Sequence, residues 1–390
     1  MDLFSQPNLN LPKLRYYQEE CKKAIFNSLS KGITKQIAAM ATGTGKTLLA
    51  TSVILEFKKI MFIVSKEELI NQSYENMIKS GRSVGMIKAE KFELDKDIVI
   101  ASTETIHRRL DRIKSNEFDL IIYDECHLSM STISIKTLNY FKPKLFLGLT
   151  ATPCRTDNLS LFSFWDEIVY EYDIAKGIKD GYLCEIDAIQ IRTEINIDDV
   201  RTSSGDFNVK DLRKVNCSGR NNLIVNSVNK YCPGMQGIIY ASSVDHCIDL
   251  TNTFHRRGFK NVSFIVGDTE LCPDREDRIK RFKNKQIDIL INVNVLVAGF
   301  DYPPVGFIGM ACPTKSLVKY LQSLGRGTRP LAGTTDGIED KNQRILNIKN
   351  SKKSKLILLD FVDSTSKHRL VNSWELDKKK FVEIIGNRKG

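Results

Sequence analysis

The segment 40-MATGTGKT-47 sets two glycines, a lysine and a threonine where an apolar strand pattern gives way to a helical one, 46-KTLLATSVILEF-57. Gly43 and Gly45 can turn successive backbone N–H groups inward around an anion, with Thr42 and Thr44 between and beside them, and the helix that follows offers its positive end. Lys46 would then reach the β- and γ-phosphates of a bound nucleotide, and the Thr47 hydroxyl would hold Mg²⁺. The general form of such a loop opens with a glycine five residues before the Gly of Gly-Lys-Thr; Met40 occupies that position. Further along, 119-DLIIYDECH-127 is an apolar strand ending in paired carboxylates. Beside a phosphate loop, Asp124 suits the metal, and Glu125 suits the base that positions and deprotonates an attacking water.

These groups need a scaffold that brings strand ends together. Short β-branched runs alternate with amphipathic stretches, as in βα units with a parallel sheet buried on both faces. The first half offers strands at 36–40, 61–65, 97–102, 119–125 and 145–152, with helical patterns at 67–80 and 104–113. The second half offers strands at 237–242, 262–267, 287–296, 307–312 and 355–361, with helices at 245–258 and 273–283. Residues 191–219 are polar and carry a Ser-Ser-Gly-Asp turn, which marks the connection between two α/β domains; 331–344 reads as a second exposed loop. The expected division is a first lobe over 1–185, a connection over 186–220, a second lobe over 221–365 and a basic tail over 366–390.

A chain of 390 residues exceeds one ordinary core and suits two. With 42% hydrophobic and 27% charged residues and no long apolar run, the composition excludes a membrane-spanning protein. No secretory pattern opens the chain, and the nine cysteines stand singly, so an intracellular, cytoplasmic setting with free buried thiols is expected. The net charge of +11 points to a polyanionic partner. Most of the excess lies in residues 341–390, including 349-KNSKKSK-355 and 378-KKK-380, where a solvated basic surface and a phosphate-binding one are both open readings.

TGTGKT, DECH, 149-LTATPCRTD-157, 296-LVAGFD-301 and 322-QSLGRGTR-329 follow one another in the order of the superfamily 2 helicases and translocases. The chain most resembles the group that holds restriction-enzyme motor subunits, RadD-like proteins, XPB-like helicases and phage branch-migration helicases. The resemblance covers residues 12 to about 365, and MATGTGKT looks like that group's own form of the loop. It implies two tandem RecA-like domains, each a mostly parallel sheet flanked by helices, with ATP in the cleft between them.

Carried over residue by residue, the resemblance makes Gln18 the reader of the adenine edge and His127, Thr150, Thr152 and Gln322 the links between nucleotide site and lobe movement. Gly299 and Asp301 match a motif touching nucleotide and strand. Arg326 and Arg329 match the last motif, one of them the arginine finger on the γ-phosphate. Gln322 stands where many RNA-specific relatives have His, which favours DNA. Strand contacts would come from Ser65, Lys66, Ser102, Thr103, Ser242, Thr314 and Lys315. The implied activity is ATP-dependent movement along single-stranded, duplex or branched DNA, with unwinding or branch migration in replication, recombination or repair and a phage setting among its forms. The rival expectations are an RNA helicase and a nucleic-acid-binding subunit that no longer cycles.

Overall fold

The computed structural model describes residues 12–65, 69–88, 90–152, 161–191, 202–203, 206–207, 216–293, 295–296, 300–314, 316–361 and 382–384. The chain divides into two units, one ending at Asp173 and the other beginning at Ile174.

The first unit opens with α1 (Tyr16–Ser30) and continues through β1 (Lys35–Met40), α2 (Lys46–Ile54), β2 (Ile60–Val64), α3 (Leu69–Met77), β3 (Val84–Lys88) and β4 (Lys91–Phe92). After these come β5 (Ile98–Ser102), α4 (Thr103–His107), β6 (Leu120–Asp124), α5 (Thr132–Tyr140), β7 (Leu145–Thr150) and β8 (Glu167–Tyr172). The strands form one sheet in the order β4-β3-β5-β2-β6-β7-β1-β8, parallel throughout except for the antiparallel β3–β4 pair. Every residue of β2, β5 and β7 is buried, which is why these strands read as continuous apolar runs rather than alternating ones. Between this sheet and the helices on one side lies a core that includes Ile63, Tyr123, Cys126, Phe146, Phe164 and Trp165.

The second unit contains α6 (Ile174–Lys179), β9 (Glu185–Ile191), the short antiparallel pair β10 (Thr202–Ser203) and β11 (Asp206–Phe207), α7 (Ser218–Tyr231), β12 (Gly237–Tyr240), α8 (Val244–Arg256) and β13 (Val262–Ile265). It continues with α9 (Arg275–Lys283), β14 (Ile289–Asn292), β15 (Phe307–Met310), α10 (Leu317–Gly325), α11 (Lys341–Asn350), β16 (Lys355–Asp360) and β17 (Val382–Ile384). Its parallel sheet runs β13-β14-β12-β15-β16-β9-β17.

All the strands expected from the sequence form, a residue or more shorter at most ends. The division between units falls at Asp173, ahead of residue 185, because β9 adds to β16 of the second sheet rather than serving as connection. The expected loop over 331–344 ends early, since Asp340 accepts from Gln343 N at 2.6 Å and starts α11. The run 349–355 is not a uniform basic surface. Lys353 is buried, and Lys355 pairs with Asp187, which leaves Lys349 and Lys352 facing solvent. The basic tail lies outside the described residues apart from 382–384. Among the described residues the cysteines are free, most of them buried but Cys217 exposed, and no helix is long and apolar enough to cross a membrane.

Candidate functional site

Strands β1, β7 and β6 are neighbours in the first sheet and run parallel, so their carboxyl ends lie side by side. Those ends carry the loop 40–47, the Thr-Ala-Thr segment and DECH respectively. A crevice outside the carboxyl ends of such strands is where open α/β sheets hold ligands.

Gly43 and Gly45 both take positive φ, 90° and 82°, a conformation open to glycine at little cost. Gly45 caps α2, so the first N–H groups of that helix face out of the loop. Thr44 turns inward: it is fully buried, and its hydroxyl donates to Ala41 O at 2.7 Å. Lys46 Nζ donates to Met40 O at 3.0 Å, folding back over the loop it belongs to.

Helix α1 holds this loop from outside. Tyr17, fully buried and stacked on Tyr172 with centroids 4.1 Å apart, donates its hydroxyl to Thr44 O at 2.8 Å. Gln18 Nε2 donates to Thr44 O at 3.0 Å and Gly45 O at 3.2 Å, while its Oε1 accepts from Arg15 N at 2.8 Å. The expected adenine-reading amide is therefore engaged at both ends and buried, and reading a base edge requires it to let go of one partner. The sequence signal for Tyr17 was the same 14-LRYYQ-18 stretch; its role was missed because the carbonyl it holds lies 27 residues away.

Asp124 ends β6, and Glu125 follows it with φ 54° and ψ 53°, in the left-handed region. That conformation costs a non-glycine residue about 1–2 kcal/mol and re-aims the side chain away from the strand direction. Glu125 N donates to Asp124 Oδ1 at 3.1 Å. Burial, with the Glu125 charge second, raises the Asp124 carboxyl above the usual carboxylate range, and Lys46 pulls it back.

The buried His127 stands with Nδ1 3.3 Å from Glu125 Oε2 and 3.1 Å from Thr150 Oγ1. Thr150 Oγ1 donates to Thr152 O at 2.8 Å and accepts from Thr152 N at 3.1 Å. Thr152 Oγ1 is buried without a hydrogen-bond partner among the described residues. Cys126 packs under this turn: a Cβ on Gly148 would sit 2.8 Å from its Sγ and 3.0 Å from the Trp165 ring. The Trp165 indole in turn donates to Ser129 Oγ at 3.0 Å.

These donors fit a nucleotide and a cation. The loop supplies backbone N–H groups at a helix start, Lys46 supplies the charge, and Thr47 and Asp124 are the oxygens a cation would take. Among the described residues no group of three or more His, Cys, Asp or Glu could hold a metal ion.

The second unit holds the arginine pair. Arg329 pairs with the Asp301 carboxylate, and Arg326 Nη1 donates to Phe300 O at 2.8 Å. Gln322 is buried in α10. Gly299, Lys66 and Lys315 lie outside the described residues.

The expected strand-contact hydroxyls are mostly occupied within the fold. Ser102 Oγ caps α4, accepting from Thr105 N at 3.3 Å. Thr103 Oγ1 bonds the Tyr123 hydroxyl at 2.9 Å, and Thr314 Oγ1 accepts from Ser316 N at 3.0 Å. Ser242 lies against His246 Nδ1 at 2.9 Å. All four are buried, whereas Ser65, at the end of β2, is partly exposed. Small hydroxyls at strand-to-helix turns serve as caps first.

Comparison with known proteins agrees with the arrangement. Residues 11–155 match the family model described as "Type III restriction enzyme, res subunit", and residues 221–330 match "Helicase conserved C-terminal domain". IRC3 of Saccharomyces cerevisiae, which bears the name of an ATP-dependent helicase, is 28% identical over 82% of this chain and 50% of its own length. The EcoAI endonuclease subunit, a type I restriction enzyme of Escherichia coli, is 26% identical over 81% of this chain and 44% of its own. The chain thus spans about half the length of these relatives. A fragment described as an HsdR subunit of a type I restriction enzyme from Vibrio vulnificus YJ016 superposes with TM-score 0.69 at 21% identity, covering 93% of this chain and 66% of that one. Dbp5 of S. cerevisiae, bound to RNA and ADP BeF3, gives TM-score 0.59 at 15% identity, covering 96% and 89%. Both likenesses show the two-domain RecA-like fold.

Proposed function

The chain belongs to the superfamily 2 helicases of the restriction-enzyme motor group, and we propose that it hydrolyses Mg-ATP to move along DNA. The observation that carries this reading is the placement of the phosphate loop, Thr-Ala-Thr and DECH on three adjacent parallel strand ends.

In this reading the backbone of residues 42–47 and the start of α2 hold the phosphates, and Lys46 leaves Met40 O to neutralise their charge. Thr47 and Asp124 would hold Mg²⁺. The bound nucleotide supplies the γ-phosphoryl group. Glu125, aimed by its left-handed backbone, orients a water and takes its proton. Arg329, released from Asp301, and Arg326 neutralise charge on the transferred group; such a finger is worth about 10³–10⁵ in rate in related NTPases. They belong to the second unit and the phosphate loop to the first, so in this reading both units take part in hydrolysis.

DNA is favoured as the track by the likeness of residues 11–155 to a restriction-enzyme subunit. With Ser102, Thr103, Ser242 and Thr314 buried, grip would fall to backbone N–H groups and to exposed cations rather than to those hydroxyls. Fork unwinding or junction migration in replication, recombination or repair extends the same reading, in a bacterial or host cytoplasm. ATPase stimulation compared across single-stranded, duplex and branched DNA and RNA of matched length tests it. Stimulation by RNA alone would replace DNA by RNA, and turnover with none of them would end the motor reading.

A further inference from the structure

Lys353 stands between α11 and β16 in a run whose neighbouring lysines, Lys349 and Lys352, face solvent, yet it is only 5% exposed. Its ammonium donates to Pro303 O at 2.5 Å and to Arg329 O at 2.7 Å. These carbonyls lie in two segments already joined by Arg326 to Phe300 O and by the Arg329–Asp301 ion pair. The lysine's own backbone is anchored to the same place. Ser351 Oγ accepts from Lys353 N at 3.2 Å, Cys184 Sγ donates to Lys353 O at 3.7 Å, and Cys184 N donates to Thr328 O at 2.7 Å.

Taking an ammonium out of water is costly, and a methionine of similar length would fill the same space without that cost. Burial here lowers the lysine's proton affinity to about 8, against the effect of the nearby Cys184 and helped by the Arg329 charge. A cation kept under those conditions must be serving the two carbonyls. Losing it would leave both carbonyls without this donor and free the backbone that carries the Arg329 side chain.

We propose that Lys353 is a positioning residue for Arg329, fixing the backbone from which the guanidinium projects and tying it to the segment that bears Asp301. The proposal rests on reading Arg329 as the arginine finger. Lys353 never touches nucleotide in this scheme; it acts through Arg329.

The test uses the full chain with Mg-ATP and a saturating single-stranded oligonucleotide. In Lys353→Met, kcat should fall about tenfold to a hundredfold, as a misplaced catalytic group does, with KM for ATP changed less than about twofold. Lys353→Arg, which keeps donors for both carbonyls, should recover most of the rate. In single turnovers, adding Lys353→Met to Arg329→Ala should slow the reaction no further. Unchanged kcat in Lys353→Met, losses that add in the double variant, or a rise in KM matching the fall in kcat would each overturn the proposal. Should Lys353→Met not fold, Lys353→Gln, whose shorter amide cannot span both carbonyls, must show the same kcat loss or the proposal falls. Full turnover in Arg329→Ala would overturn the finger reading and this proposal with it. Loss in Arg329→Ala beside full turnover in Lys353→Met overturns the proposal alone.

Discussion

His127 donates its Nδ1 proton to Thr150 Oγ1, because the threonine's only proton is already committed to Thr152 O. The imidazole is thereby held as the Nδ1–H tautomer, with the Glu125 carboxylate 3.3 Å from the same nitrogen. One hydrogen stands between the carboxylate assigned to water activation and the segment assigned to coupling.

Thr150→Val removes an acceptor from His127 Nδ1, which keeps Glu125 Oε2, and from the buried Thr152 N. The variant should lose about 1–3 kcal/mol in a denaturant titration, the usual cost of an orphaned buried polar group. It should also separate fewer base pairs per ATP hydrolysed. Unchanged stability together with unchanged coupling would show that the contact is incidental.

Glu125→Gln keeps the shape of the turn and removes the base. DNA-stimulated turnover should fall by about 10²–10⁴, the range for losing a general base, while a fluorescent nucleotide still binds. Retained turnover would remove Glu125 from the mechanism.

Gly45→Ala asks a side chain to adopt φ 82° with its Cβ 2.5 Å from Gln18 Nε2. It should destabilise by more than about 1 kcal/mol and raise KM for ATP. Gln18→Ala separates two roles for the amide: a holder of the loop raises KM for ATP and GTP alike, a reader of adenine erases the preference between them. The contacts with Thr44 and Gly45 favour the first outcome.

His246 gives an acid limit to stability. It is fully buried and neutral, with Nδ1 accepting from Ser242 N at 3.2 Å and Nε2 donating to Asn221 Oδ1 at 3.1 Å. Burial first, then the Arg220 charge, depress it from 6.5 to about 3. The unfolded chain binds this proton below 6.5 and the folded one does not, so the stabilisation is complete above 6.5 and is lost as pH falls toward 3. The slope approaches about 1.4 kcal/mol per pH unit. His246→Asn should flatten that stretch of a stability–pH curve; an unaltered slope would place the acid sensitivity elsewhere.

Removing residues 366–390 should lower the slope of log affinity for DNA against log salt if their lysines touch phosphate. An unchanged slope would make them a solvated tail.

The central strands and the phosphate loop were legible in the sequence because burial on both faces writes an unbroken apolar run, as in 60-IMFIV-64 and 120-LIIYD-124. Edge and half-exposed strands were not. In β8, EIVYEY, and β9, EIDAIQI, polar and apolar residues mix because most positions keep partial exposure, and β9 therefore read as the approach to a linker. Lys46, Asp124 and Glu125 announced themselves by spacing. Tyr17 and Lys353 did not, since each holds carbonyls brought to it by distant parts of the chain. Ser102 and Thr103 show the converse: the Ser102 hydroxyl is taken up by its own turn and the Thr103 hydroxyl meets Tyr123 on another strand, contacts that spacing alone does not disclose.

The contact between Cys126 and Gly148 has a consequence for which sequences can share this fold. The third letter of DECH is chosen less by the chemistry around it than by an absent side chain on the adjacent strand, and Trp165 closes the remaining space. Changes at the two positions should be epistatic: a Cβ at 148 would meet the Cys126 Cβ at 2.9 Å as well as its sulfur, so alanine at 148 calls for glycine at 126 and a shift of Trp165, and a larger residue at 126 finds no partner at 148 small enough to admit it.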